Sequence, residues 1–163
     1  LKQHRPTIFY GVPTLYGALL ASPDMLRRTE VSRLRACTSA GEALPADIGR
    51  RWTEQLGVEI LDGIGSTEML HIFLSNRAGE VRYGTTGKPV PGYAVRLIGE
   101  DGNPVSPGEI GELQISGPSS AVMYWNSREK SRHTFIGTGR AAATNTSKPM
   151  MATSSIADVP TTC

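Results

Sequence analysis

The first 62 residues alternate between short apolar runs and helical patterns, and this alternation limits the folds that the chain can adopt. The apolar runs have the length of buried strands, and the segments between them place apolar residues at helical spacing. Pro13 suits a helix start, and Gly57 suits a helix end. Strand, helix and strand in succession are typical of a parallel sheet, which predicts an α/β fold built on a partial parallel β-α-β unit. We expect strands at 7–12, 34–38 and 58–62, and helices at 13–21 and 45–56.

After Gly84 the pattern changes to short apolar or alternating segments, separated by proline and glycine. Such punctuation predicts a small antiparallel β subdomain. The strand candidates are Val81–Tyr83, Tyr93–Ile98 and Glu112–Ile115. From Ala141 onward Ala, Thr, Ser and Pro dominate, which predicts a disordered tail. The expected organisation is therefore an α/β subdomain at 1–83, a β subdomain at 84–137 and a tail at 138–163.

The charge pattern excludes several classes of partner. The chain has 17 basic and 15 acidic residues, for a net charge of +2, and they are mixed along its length. A nucleic-acid-binding surface needs clustered Lys and Arg, so no nucleic acid is expected. No apolar run reaches the ~18 residues of a membrane span. Cys37 and Cys163 define neither a disulfide framework nor a metal site, and a cytoplasmic location is expected.

The stretch from Asp62 to His71 carries the strongest chemical signal. Two glycines with one residue between them predict a sharp turn and a close approach of a bulky ligand. Ser66, Thr67 and Glu68 follow, and they suit a nucleotide phosphate with its metal, because hydroxyls donate to phosphate and a carboxylate holds Mg²⁺. The alternative is an ordinary polar turn after a strand. A second loop, at 39–43, follows the preceding strand, and ligands of parallel sheets bind beyond such strand ends.

The segment Asp62–Glu68 resembles the core motif of the adenylate-forming enzymes, which include acyl-CoA synthetases, luciferases and peptide-synthetase adenylation domains. Three further segments resemble other motifs of that family in the right order: Ser39–Pro45, Gly108–Leu113 with Gly117, and Tyr124–Asn126. Within the family the chain is most similar to the benzoate-CoA ligase group. That closer similarity rests on Phe9–Tyr16, Ser39–Glu42 and Met69–Asn76. Ile64 departs from the wider family, which usually has an aromatic residue there.

The resemblance implies an ATP-dependent ligase that activates an aromatic carboxylate as acyl-AMP and transfers it to CoA, with Mg²⁺ as the metal. Such an activity belongs to aromatic acid degradation. The same resemblance implies that a chain of this extent is a fragment without turnover of its own. Two alternatives remain open for the chain, a non-catalytic remnant and a small nucleotide-binding module without ligase activity.

The resemblance also implies roles for individual residues. Thr67 and Glu68 are the expected catalytic residues, with Thr67 bound to the α-phosphate and Glu68 also the metal ligand. The expected nucleotide-binding residues are Gly41, Glu42 and Ala43 on one side of adenine, Asp62, Gly63 and Ile64 on the other, and Gly65, Ser66 and Thr67 after them. Tyr10, His71 and Ile72 are expected to border the aryl acid. The alternatives are core packing for Tyr10 and the packing of a helix start for His71 and Ile72. Tyr124 and Trp125 are expected to pack within the β subdomain.

The tail carries a second interpretation, as coding sequence of the same family read one base out of frame. Shifting the frame makes Gly137 to Cys163 compatible with GTWTRSGDKYEQTDDGYFVYCGRADDM, a continuation that the resemblance implies. Methionine has one codon, so Met150 followed by Met151 must restore Asp, and Met151 followed by Ala152 must restore Gly. Both fall where the D-D-G-Y string requires them. The DNA sequence of the locus tests this interpretation.

Overall fold

The computed structural model describes residues 1, 3–22, 24, 31–106, 109–136, 143–144 and 150–151. The chain divides into two compact units. The first consists of Leu1–Ile64 with Ser75–Gly87, and the second of Gly65–Leu74 with the chain from Lys88 onward. The subdomain boundaries expected at residues 84 and 138 stay predictions.

The first unit has the strand and helix order that the sequence predicts. Parallel pairing joins β1 to β2 and β2 to β3, with Tyr10 opposite Thr38 and Ser39 opposite Asp62. The prediction of a parallel β-α-β unit is therefore confirmed. The elements are β1 (Ile8–Gly11), α1 (Pro13–Leu20), β2 (Ala36–Ser39), α2 (Ala46–Leu56) and β3 (Ile60–Gly65).

The core of the first unit lies between the two helices and the sheet. Trp52 on α2 and Tyr16 on α1 are both fully buried, and their rings meet edge to face with centroids 4.8 Å apart. The Tyr16 hydroxyl donates to the carbonyl of Thr38 at 2.7 Å, which satisfies the polar end of a buried ring. Helix α2 ends at Gly57, whose φ of 68° is left-handed and suits glycine. These contacts fix the strand ends that carry the candidate nucleotide loops.

The predicted strand at Val81–Tyr83 is wrong, because these residues lie in a turn region. The side chain of Asn76 holds that region by accepting from the Arg82 amide at 3.0 Å and donating to the Thr85 carbonyl at 2.7 Å. The Tyr83 hydroxyl lies 2.5 Å from Thr53 Oγ1 and 3.1 Å from the amide of Ile60. Tyr83 therefore packs against the core of the first unit rather than pairing in a strand.

The second unit is dominated by antiparallel pairing, as the sequence predicts. The longest strands, β6 and β7, place Val95 opposite Ile115 and Leu97 opposite Leu113, and all four are apolar. Its helix carries Glu129 in the first turn and His133 in the last. The elements are β4 (Ile72–Ser75, whose last residue belongs to the first unit), β5 (Lys88–Pro89), β6 (Ala94–Ile98), β7 (Ile110–Ser116), α3 (Arg128–Thr134), β8 (Phe135–Ile136), β9 (Ala143–Thr144) and β10 (Met150–Met151).

Most of the tail predicted to be disordered and out of frame, 138–163, lies outside the described residues. Its two described dipeptides pair as short antiparallel strands, β9 with β8 and β10 with β7. For these four residues the structure records strand pairing, where composition alone predicts disorder. Among the helices in the described part of the chain, none is both long and apolar enough to cross a bilayer.

Candidate functional site

The glycines of the central motif do not form the sharp turn that the sequence suggests. Gly63 and Gly65 both lie within β3, and the turn follows at 66–71. Glycine at position 65 instead lets the backbone of β3 pass close to the backbone of His71, because a Cβ there would lie 2.7 Å from the carbonyl oxygen of His71. Leu70 in the turn has a φ of 70°, a left-handed conformation that is strained for leucine. The turn that carries Thr67 and Glu68 is therefore held in an unusual shape.

In the first unit, the paired strand ends bury two polar side chains. Ser39 is fully buried and Asp62 is 4% exposed. Asp62 Oδ2 accepts from the Leu44 amide at 3.4 Å, whereas Asp62 Oδ1 and Ser39 Oγ have no hydrogen bond of acceptable geometry within the described residues. Burial raises the pKa of Asp62, and the nearby Ser39 hydroxyl and the amides of Leu44 and Gly63 only partly offset this effect. A buried polar atom without a hydrogen bond costs free energy, so these two atoms make the strand ends a candidate ligand-binding site.

The other candidate residues of the first unit lie at or near the ends of the same strands. Gly41, Glu42 and Ala43 follow β2 directly and are exposed. Tyr10, on β1, is 73% exposed, so the alternative of core packing is wrong for the unit as described. Ile64 on β3 is half-buried. The structure thus brings these residues to strand ends of one sheet, and their roles stay predictions.

In the second unit, Glu68 is held by the loop that precedes α3. The Tyr124 hydroxyl donates to Glu68 Oε1, and the Ala121 amide donates to the Glu68 carbonyl at 2.7 Å. Partial burial raises the pKa of Glu68, but the Tyr124 hydrogen bond, with help from Ser66 and the charge of Lys130, outweighs it and holds that pKa below its usual value. Glu68 is therefore an ionised carboxylate in a fixed orientation. Thr67 beside it is exposed.

Ile72 is the first residue of β4 and His71 directly precedes it, so the alternative of a helix start is wrong. His71 Nδ1 lies 2.6 Å from the Ile72 carbonyl oxygen, and Nε2 lies 2.9 Å from the Tyr93 hydroxyl. Tyr93 also contacts Ser119 Oγ at 2.6 Å, and Ser119 donates to the Met69 carbonyl at 2.5 Å. These side chains join the turn of the motif to β4 within the second unit.

Three residues of this arrangement were missed by sequence reasoning. Tyr93 and Ser119 carry no motif signal. The ring of Tyr124 packs against Phe135, with centroids 5.2 Å apart, as the sequence predicts, but its hydrogen bond to Glu68 is not predicted. The prediction that Trp125 packs within the β subdomain is wrong, because its side chain is 95% exposed. Tyr124 lies within a segment that carries the family resemblance, and that was the one available signal.

Comparison with known proteins identifies the family of the chain. A family model for AMP-binding enzymes matches residues 1–125. The chain belongs to this family. Benzoate–CoA ligase of Thauera aromatica is 70% identical over 138 residues, which cover 84% of this chain and 26% of the relative. The chain thus spans about a quarter of the length of the curated relatives it matches.

Solved structures give the same result for the fold. A benzoate CoA ligase from Burkholderia xenovorans LB400 is 59% identical, with a TM-score of 0.83, over 91% of this chain and 29% of that one. An anthranilate CoA ligase in complex with anthranoyl-AMP is 45% identical, with a TM-score of 0.84, over 91% of this chain and 28% of that one. The expected family and α/β fold class are confirmed.

Proposed function

We propose that this chain is part of an AMP-forming aryl-CoA ligase of the benzoate-CoA ligase type, which acts on an aromatic carboxylate, ATP and CoA. The observation that carries the proposal is the turn after β3, where the exposed Thr67 hydroxyl precedes the ionised and oriented Glu68 carboxylate. A phosphate needs donors, and its metal needs a carboxylate, so this pair suits a metal-bound triphosphate. The high identity to benzoate–CoA ligase supports the aryl acid as substrate class.

The residues also fit Mg²⁺, the metal that the family implies. Within the described residues there is no group of three or more His, Cys, Asp or Glu side chains that could form a protein-only metal cage. Mg²⁺ does not require one, because it commonly binds through one or two carboxylates together with substrate phosphates. Glu68 is the carboxylate that would hold it, and the bound ion would neutralise charge that develops on the phosphates.

In the proposed reaction the substrate carboxylate attacks the α-phosphorus of ATP, which gives acyl-AMP and releases pyrophosphate. The CoA thiolate then attacks the acyl carbon and releases AMP. Thr67 would donate to the α-phosphate as negative charge builds up there. Loss of a donor of this kind typically costs about 2–4 kcal/mol of transition-state stabilisation, which is the cost expected of Thr67→Val in a complete enzyme.

In the first unit, Gly41, Glu42 and Ala43 would line one face of adenine, and Asp62, Gly63 and Ile64 the other. In the second unit, Gly65 and Ser66 would border the phosphates, and His71 and Ile72 the aryl group. Tyr10 is the further residue proposed to contact the aryl group. The exposure of Tyr10 and of the loop at 41–43 supports these roles, since a ligand-binding side chain must be accessible.

Calorimetry with a non-hydrolysable benzoyl-AMP analogue tests the proposal on the 163-residue chain. We expect binding in the presence of Mg²⁺ that weakens in Glu68→Gln and Thr67→Val. Glu54→Gln, which removes an exposed carboxylate of α2, is the matched control and should bind as the parent does. AMP binding as tight as that of the analogue would favour a small nucleotide-binding module. A folded chain that binds neither compound would favour a non-catalytic remnant.

A further inference from the structure

The hydroxyl of Ser39 and the carboxylate of Asp62 are neighbours across two paired strands of the first unit. The two residues are register partners of β2 and β3, and paired strands lie about 4.8 Å apart. Their side chains point to the same face of the sheet as those of Cys37 and Ile60, because residues two positions apart in a strand share a face. Cys37 and Ile60 belong to the buried core. Ser39 and Asp62 therefore form a polar pair at the end of an apolar face.

The Ser39 hydroxyl lacks an aligned partner in the described part of the chain. Ser39 is fully buried, and both its Oγ and Asp62 Oδ1 are without a hydrogen bond of acceptable geometry. The two groups are nevertheless close enough for the hydroxyl to lower the pKa of the Asp62 carboxyl. A hydroxyl proton rotates to suit its acceptor, and each of the two atoms would otherwise stay buried without a partner. Alignment of the serine proton with the carboxylate therefore satisfies both.

The donors around Asp62 do not fill its carboxylate. An ionised carboxylate only accepts hydrogen bonds, and its two oxygens offer about four acceptor sites. The Leu44 amide donates to Oδ2 at 3.4 Å, and the Gly63 amide and the Ser39 hydroxyl are the other two donors that act on the carboxyl. The two amides are fixed by the backbone, whereas the hydroxyl belongs to a side chain. Three protein donors leave about one site for a ligand.

We infer that Ser39 is a positioning residue that fixes the direction of the Asp62 carboxylate and leaves one of its acceptor sites to a bound base. This step rests on the proposed function, in which Asp62 lies beside adenine. The exocyclic amine of adenine is a donor, which a buried acceptor favours. Hypoxanthine carries a carbonyl oxygen at the same position, and two acceptors that face each other repel. Ser39 therefore acts on the selectivity for the base without touching it.

The positioning role is tested without a nucleotide, so its failure is distinct from failure of the proposed function. The carboxyl ¹³C resonance of Asp62, assigned through Asp62→Asn, is followed against pH in the 163-residue chain. We expect Ser39→Ala to raise the pKa of Asp62, because the hydroxyl stabilises the charged form. Burial and uncharged donors are the causes of the existing shift, so the titration of a neighbour does not account for it.

Thr53→Val is the matched control for the titration. It removes another hydroxyl of the first unit, which contacts the Tyr83 hydroxyl at 2.5 Å and the Val58 carbonyl at 3.5 Å. The pKa of Asp62 should not change in this variant. An unchanged pKa of Asp62 in folded Ser39→Ala overturns the positioning role. If Ser39→Ala does not fold, Ser39→Cys fills the site with a weak donor, and it should raise the same pKa. An unchanged pKa in Ser39→Cys also overturns the role.

The selectivity is tested with the benzoyl-AMP analogue and its inosine counterpart, both with Mg²⁺. The parent should bind the adenosine compound about tenfold or more tightly than the inosine compound, the discrimination expected for one hydrogen bond to a charged group. Ser39→Ala should reduce this ratio by about threefold or more, and Thr53→Val should keep it. An unchanged ratio in Ser39→Ala, or equal binding of both compounds by the parent, overturns the selectivity. If the parent binds neither compound, the selectivity fails with the proposed function, and the titration alone decides the positioning role.

Discussion

The two units hold their candidate site residues by different means. In the first, strand register and backbone amides place them: Ser39 and Asp62 are register partners, and Asp62 is held by the amide of Leu44. In the second, side chains distant in sequence do so, since Tyr124 holds Glu68 across 56 residues and Ser119 holds Met69 across 50. The site residues of the first unit are therefore placed mainly by the pairing of strands, whereas those of the second are held by individual hydroxyl groups.

Trp52→Ala should have the largest effect on stability, because the paired strands of the first unit require an intact core. Trp52 is fully buried against Tyr16, and truncation of such a residue costs about 3–5 kcal/mol. The other tryptophan, Trp125, is 95% exposed, and Trp125→Ala should change the free energy of unfolding by no more than about 0.5 kcal/mol. Urea unfolding followed by circular dichroism measures both. Equal losses would contradict the location of the core.

Gly65→Ala should cost roughly 1–3 kcal/mol, the usual range for overpacking. Its Cβ would meet backbone atoms of His71 and Ile72 at 2.7 to 2.9 Å, and backbone atoms cannot move aside as a flexible side chain does. Gly17→Ala in α1 is the control of opposite sign. Its Cβ meets only Ile48 Cδ1 at 3.4 Å, and alanine favours a helix over glycine by about 0.5–1 kcal/mol. Urea midpoints measure both, and a stabilising Gly65→Ala would contradict the close approach.

Tyr124→Phe tests whether a single hydroxyl orients Glu68. Its removal should cost about 1 kcal/mol of stability, at the low end for a hydrogen bond to a charged group because the pair is partly exposed. It should also weaken binding of the Mg²⁺-bound analogue, since the carboxylate loses its fixed direction. Tyr10→Phe, which changes a ring that is 73% exposed, serves as the stability control. A stability loss without any loss of analogue affinity would limit Tyr124 to a structural role.

The same contrast explains what the sequence could predict. The strands and helices of the first unit follow from local periodicity and from Pro13 and Gly57, and the structure matches them to within about two residues at most ends. The hydrogen bonds of Tyr93, Ser119 and Tyr124 join residues 22 to 56 positions apart, and no local pattern encodes such pairs. The strand predicted at Val81–Tyr83 is wrong for a related reason, because hydrogen bonds from the side chain of Asn76 hold this segment in a turn.

The smallest effect expected is a difference in pH dependence between the two units. Burial raises the pKa of Asp62 above its usual 3.8, so between 3.8 and the raised value the native state binds more protons than the unfolded state. Stability contributed by Asp62 therefore falls as pH rises through this window and then levels off. Asp62→Asn removes the titration, and its stability relative to the parent should rise with pH across the same window.

Asp101 in the second unit provides the control of opposite sign. The side chain and amide of Asn103 each donate to its carboxylate at 3.0 Å, and these hydrogen bonds hold the pKa of the exposed Asp101 below its usual value. Its contribution to stability is present above the unfolded value of 3.8 and is lost as pH falls through the folded pKa. Asp101→Asn should thus lose stability relative to the parent as pH rises, while Asp62→Asn gains. Urea unfolding of all three chains at several acidic pH values measures both trends. If the two variants follow the same trend, burial does not govern Asp62, and the strand-end carboxylate of the first unit is solvated like that of Asp101.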